Sequence, residues 1–175
     1  MARRRPRSIS NSEAGQPTAG KEIERKFLVA GPPANLAEYP SAHIIQGYLA
    51  YEAGKSQVRV RCIRDERYTS PEFYLTAKRR EGLVRDEVNV PLSQRAFEEL
   101  WPLTAGRRLS KRRYRIPHGR IEIELDVFEG ARAGLILAEI EFRTEANAHR
   151  FVPPAWLGEE VTKNPAYRNV VLAAE

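Results

Sequence analysis

"KEIERKFLV", residues 21–29, decides the fold. Glu22, Glu24 and Lys26 stand two apart, with Ile23, Phe27 and Val29 between them. A period of two is the period of a strand, so one face is charged and the other apolar. Arg25 breaks the apolar face. The pattern leaves open whether the charged face meets bulk water or a ligand.

The pattern recurs along the chain. Strands are predicted over residues 22–30, 43–51, 56–65, 72–80, 83–91, 108–116, 120–128 and 135–143, separated by turn residues such as "GPP" at 31–33 and "REG" at 80–82. Ser93 is a helix N-cap candidate, followed by Phe97, Leu100 and Trp101 at helical spacing. A second helix is expected from Thr144 to about Phe151, and a third from Asn164-Pro165. Eight strands in one small domain suggest a mainly β fold, a closed eight-stranded antiparallel barrel with a few covering helices.

The chain has 175 residues, a net charge of +6 and a single cysteine, Cys62. Its isoelectric point is about 9.7. One domain is expected over residues 21–175, preceded by a disordered basic tail over 1–20 that begins "MARRRPR". One cysteine excludes an internal disulfide, and three scattered histidines argue against structural zinc. No apolar run reaches membrane-spanning length, and no apolar segment follows the basic start as in a secretory signal. A cytoplasmic protein without a membrane partner is the expectation. The basic balance favours anionic partners without choosing among them.

Pooling the charged faces sharpens that choice. The cations are Lys26, Arg59, Arg61, Lys78, Arg85, Lys111, Arg113 and Arg115. The acids are Glu22, Glu24, Glu87, Glu122, Glu124, Asp126, Glu139 and Glu141. On alternation alone, an ordinary barrel with these charges outside and salt-bridged is the simpler reading. Two features resist it. The faces carry little Ser, Thr or Asn, and the signs segregate by strand, as in "VRVR" (58–61) against "IEIELD" (121–126). Like charges two apart repel, and surface ion pairs worth about 0–1 kcal/mol barely offset that. A polyphosphate would satisfy the cations and a divalent metal the acids.

"EIERK" fits the Glu-x-Glu-x-Lys signature of the CYTH superfamily, the triphosphate tunnel metalloenzymes, and the chain resembles its compact bacterial members. The resemblance continues through "QGYL" (46–49), "VRVR" (58–61), "LTAK" (75–78), "SKRRY" (110–114), "IELDVFEG" (123–130), "GLILAEIEF" (134–142) and "WLGEEVT" (156–162). It implies an antiparallel tunnel with the charged faces inward and the apolar faces outward under helices. It also implies metal-dependent hydrolysis of a triphosphate, most simply inorganic tripolyphosphate, with Mg²⁺ or Mn²⁺ and two ions. Glu22, Glu24, Asp126, Glu139 and Glu141 look like metal ligands, with Glu124 and Glu87 in support. Lys26, Arg59, Arg61, Lys78, Arg85, Lys111 and Arg113 look like the triphosphate cradle. Tyr48 resembles a tyrosine near the signature lysine that helps position water; packing at a tunnel mouth is the alternative. Glu22, Glu24, Lys26 and Tyr48 are thus the catalytic candidates.

Asn89 departs from the pattern, since the family often has an acid there. Arg115 carries no family role and reads as a surface or tunnel-mouth charge. An adenylate cyclase or a thiamine triphosphatase on the same tunnel, and a non-catalytic polyphosphate or nucleotide sensor, remain alternatives. A nucleic-acid partner is not expected, because the acids balance the cations. A homodimer is compatible with the sequence.

Overall fold

The structure is a computed structural model that describes residues 16–79 and 83–174. Residues 1–15 of the expected tail (1–20) and the turn at 80–82 lie outside the described residues. Eight strands form: β1 (Thr18–Leu28), β2 (Ser41–Glu52), β3 (Ser56–Asp65), β4 (Glu72–Arg79), β5 (Val84–Pro91), β6 (Arg108–His118), β7 (Ile121–Phe128) and β8 (Ile136–Glu141). They close into an antiparallel barrel in the order β1-β5-β4-β3-β2-β6-β7-β8. β1 begins at Thr18, inside the stretch read from sequence as tail. It closes the barrel by changing partner midway. Thr18–Ile23 pairs with β5, and Glu24–Leu28 pairs with β8.

Register fixes which side chains share a face, because residues directly opposite point the same way. Lys26 lies opposite Glu139 and Glu24 opposite Glu141. Arg113 faces Asp126, Arg115 faces Glu124, and Lys78 faces Glu87. Arg59 sits beside Tyr48 on one side and Thr76 on the other. Side-chain contacts across non-neighbouring strands, such as Arg115 on β6 to Asp65 on β3, place this face inside the barrel.

The opposite face is also buried, under helices and loops. Ile23, Phe27, Ile123, Leu125 and Ile140 pack with Ala148 and Leu157, which come from α2 (Glu145–Arg150) and the chain after it. Burying one such large side chain is worth roughly 1.5–3 kcal/mol. Val60 and Cys62 are covered by Phe97 of α1 (Gln94–Leu100), whose ring stacks on Trp101 at 5.2 Å. Ser93 caps α1 by accepting from the Ala96 amide at 3.1 Å. Thr144 caps α2 in the same way, from the Asn147 amide at 3.2 Å. Gly47 is required where the turn after α1 crosses β2, since a Cβ there would collide with the buried Thr104 side chain.

The expected third helix is shorter and broken: a single 3-10 turn at Pro165–Tyr167, then α3 (Asn169–Leu172). Its placement matters more than its length. Val170 and Ala173 join Val161 in a cluster with Leu28, Tyr48, Leu109, Phe128 and Leu137. By register those five strand residues share the inward face with the charges. One end of the lumen is therefore apolar and closed by the segment after β8, which the alternation of charges does not foretell.

Candidate active site in the barrel lumen

The lumen gathers the cations and acids singled out in the sequence, and it pairs most of them with one another. Lys26 Nζ meets Glu139 Oε1 at 2.7 Å and stands 3.6 Å from Glu24. Lys78 Nζ is held by Glu22 at 2.8 Å and Glu87 at 2.6 Å. Arg85 reaches Glu22 and Glu24, each at 3.0 Å. Arg113 donates to both oxygens of Asp126, to Glu139 at 2.5 Å and to Glu124. Lys111 also contacts Asp126, whose residue is fully buried. Signs segregated by strand thus meet between neighbouring and next-but-one strands, so the repulsion inferred from spacing is relieved within the protein itself.

That relief is incomplete on the cationic side. The Nε groups of Arg59, Arg61 and Arg85 are buried without a hydrogen-bond partner among the described residues. Arg61 has no ion pair among the described residues and lies over the Tyr74 ring at 5.9 Å. Burial, with Arg59 and Arg113 nearby, pushes its pKa down to about 10. Orphaned guanidinium donors in a desolvated site ask for an anion with several acceptor oxygens.

The acidic side shows the complementary imbalance. Glu141 has no ion pair among the described residues; burial and the neighbouring Glu22, Glu124, Glu87 and Glu24 push its pKa up to about 7. Burial and Glu139 likewise raise Glu24, against the opposing pull of Lys26 and Arg85. Such a group of like charges favours a bound cation, and an all-oxygen donor set suits a hard one. The acids are nevertheless not gathered in advance: among the described residues no three acidic, His or Cys side chains form a metal-binding cluster. Asp126 and Glu139, expected as ligands, are occupied by Lys111, Arg113 and Lys26. Burial opposes the Glu139 charge, but those three cations outweigh it and hold its pKa well below the usual carboxylate range.

Tyr48 is fully buried, and its hydroxyl accepts from Gln46 Nε2 at 2.8 Å and engages Arg59. Burial raises its pKa. Gln46 escaped the sequence reading, although it shares the parity of Tyr48 two residues on. Asn89, the departure from the expected acid, donates to Glu87 at 2.6 Å and accepts from Thr76 at 2.7 Å. Burial opposes ionisation of Glu87, yet Lys78, Arg59 and this amide hold its pKa down to about 2. Asn89 therefore anchors an acid instead of adding one. Arg115 lies on the lumen side and bonds Asp65 at 2.7 Å, where Arg67 also docks.

A model of the CYTH domain family matches residues 20–168. An inorganic triphosphatase of Nitrosomonas europaea is 42% identical over 154 residues, covering 87% of this chain and 96% of that protein. An inorganic triphosphatase of Acetivibrio thermocellus is 37% identical over 151 residues, covering 86% and 91%. The crystal structure of the inorganic triphosphatase NE1496 is 38% identical, covers 88% of this chain and 95% of that one, and superposes with a TM-score of 0.62.

Proposed function

The chain belongs to the CYTH domain family, and on that premise we propose that it hydrolyses a triphosphate, inorganic tripolyphosphate before others, to diphosphate and phosphate within the lumen. One observation carries the reading: the buried, partnerless Nε donors of Arg59, Arg61 and Arg85 on an enclosed cationic wall. Two relatives that cover most of the chain are inorganic triphosphatases, which supports the choice of substrate.

The residues divide the work. Arg59, Arg61 and Arg85 present free donors to phosphate oxygens, and Lys78, Lys111 and Arg113 add positive charge from positions their carboxylate partners hold. Glu24 and Glu141, with Glu22 and Glu124 adjoining, are the acids best placed to hold Mg²⁺ or Mn²⁺, two ions in this reading. A divalent ion held by these acids would neutralise phosphate charge and make a nearby water more acidic. Asp126 and Glu139 keep Lys26, Lys111 and Arg113 fixed in the lumen, so the cations need not reorganise as charge moves to the leaving diphosphate. Glu87 is kept anionic beside Lys78 and so orients it. Tyr48 holds Arg59.

The test is a substrate panel of tripolyphosphate, ATP and thiamine triphosphate with Mg²⁺ or Mn²⁺, scored by release of phosphate against diphosphate. Tripolyphosphate turnover to phosphate and diphosphate is expected, falling about hundredfold or more in Glu24→Gln. Diphosphate release from ATP would favour a cyclase instead. Binding without turnover would favour a sensor, and unchanged metal-dependent turnover in Glu24→Gln would overturn the assignment of the acids.

A further inference from the structure

The segment after β8 does more than close the lumen. Lys26 Nζ donates to the Tyr167 carbonyl at 3.3 Å, and Asn169 Nδ2 donates to Glu139 Oε1 at 3.3 Å. That Glu139 oxygen is the one that holds Lys26. The segment is itself pinned. Thr162 Oγ1 accepts from the Lys26 amide at 3.0 Å, and the Val161 amide donates to the Lys26 carbonyl at 2.8 Å. Arg132 ties down the carbonyls of Leu172 and Ala174, each at 2.8 Å.

Asn169 is half-buried and precedes Val170, which packs into the apolar cluster at this end of the lumen. Its amide is held one way round. The carboxylate of Glu139 accepts only, so Nδ2 must face it and Oδ1 must point elsewhere. Oδ1 is buried and has no partner among the described residues. A buried acceptor without a donor is unfavourable until a donor arrives. Lys26 and Lys111 already donate to Glu139, the Tyr167 carbonyl and Asp126, and neither the carboxylates nor a fully ionised triphosphate can supply one. A water molecule can.

We propose that Asn169 orients a water molecule at the closed end of the lumen, accepting one of its O–H hydrogens while fixing Glu139 and Lys26 through Nδ2. The inference rests on the triphosphatase reading above. In-line displacement at the terminal phosphorus places the attacking water opposite the leaving diphosphate. A substrate that enters with its terminal phosphate foremost puts that position against the closed end. Asn169 takes no proton there; it sets the direction of the water's lone pair.

The experiment compares the full-length protein with Asn169→Leu, which keeps the bulk and removes both polar atoms, and with Val170→Ala, which loosens the same packing. With tripolyphosphate and Mg²⁺, Asn169→Leu is expected to lower kcat about tenfold to hundredfold with KM unchanged. Val170→Ala is expected to lower the melting temperature and leave kcat intact. Should the leucine variant fail to fold, Asn169→Ala provides the same comparison, since it too removes both polar atoms. A wild-type kcat in the folded Asn169 variant, or a loss confined to KM, would overturn the proposal and leave the triphosphatase reading standing. A wild-type protein that hydrolyses no triphosphate would overturn both.

Discussion

Arg25 and Arg113 are both forked onto carboxylates, and they lie on opposite sides of the barrel wall. Arg25 faces outward. It grips both oxygens of Glu160, at 3.0 and 2.6 Å, and donates to the Ala148 and Phe151 carbonyls, each at 2.9 Å. It thereby satisfies orphan carbonyls at the end of α2 and fastens α2 and the following chain over β1. Its partner Glu160 is 39% exposed, so water shares the load. Arg113 faces inward and is shared among Asp126, Glu124 and Glu139, with Asp126 wholly sequestered. The same guanidinium chemistry holds the cover in one place and readies a binding site in the other. Depth and the number of acids competing for the fork make the difference.

The contrast can be broken experimentally. Arg113→Met should give the largest change, about 3–5 kcal/mol of lost stability in urea denaturation, because it strands buried acids. It should also abolish tripolyphosphate binding in calorimetry. Arg25→Met should cost about 2 kcal/mol by the same denaturation, with kcat retained in the folded fraction. A folded Arg25 variant without activity would show that the two sides of the wall are not separable. The smallest effect belongs to Asp65, at the Arg115 end of the lumen face. The Arg67 hydrogen bonds, with Arg115 adding its charge, hold its carboxyl down to about 2, against an ordinary 3.8. A depressed acid stabilises above its unfolded pKa, and that stability is lost as pH falls through the folded value. Wild type should therefore exceed Asp65→Asn in melting temperature by a constant margin above about pH 4, a margin that closes toward pH 2. A margin that does not change with pH would place the effect in packing.

The architecture was legible because period-two alternation survives in every strand, and the charged residues of "EIERK" and its counterparts did share one face. What alternation cannot carry is the order of strands around the barrel. The pairing of Lys26 with Glu139, or of Arg113 with Asp126, depends on register between distant segments, and so the internal neutralisation was invisible. Thr18, Ala19 and Gly20 have no apolar pattern of their own and so read as tail. β5 recruits them through backbone pairing alone. Leu28, Leu109, Phe128 and Leu137 have the parity of the charged face but not its chemistry, so the closed end passed unnoticed. Gln46 could have been found from its spacing to Tyr48. Asn169 could not, since nothing regular surrounds it.

The wall of this barrel is occupied on both sides, with ions within and side chains of the cover without. A saturation mutagenesis map should accordingly show no two-residue rhythm of tolerant positions along β1, β6, β7 or β8, unlike a sheet with one face in water. Room for sequence drift, and with it for new substrate preference, is displaced to the rims and connecting turns.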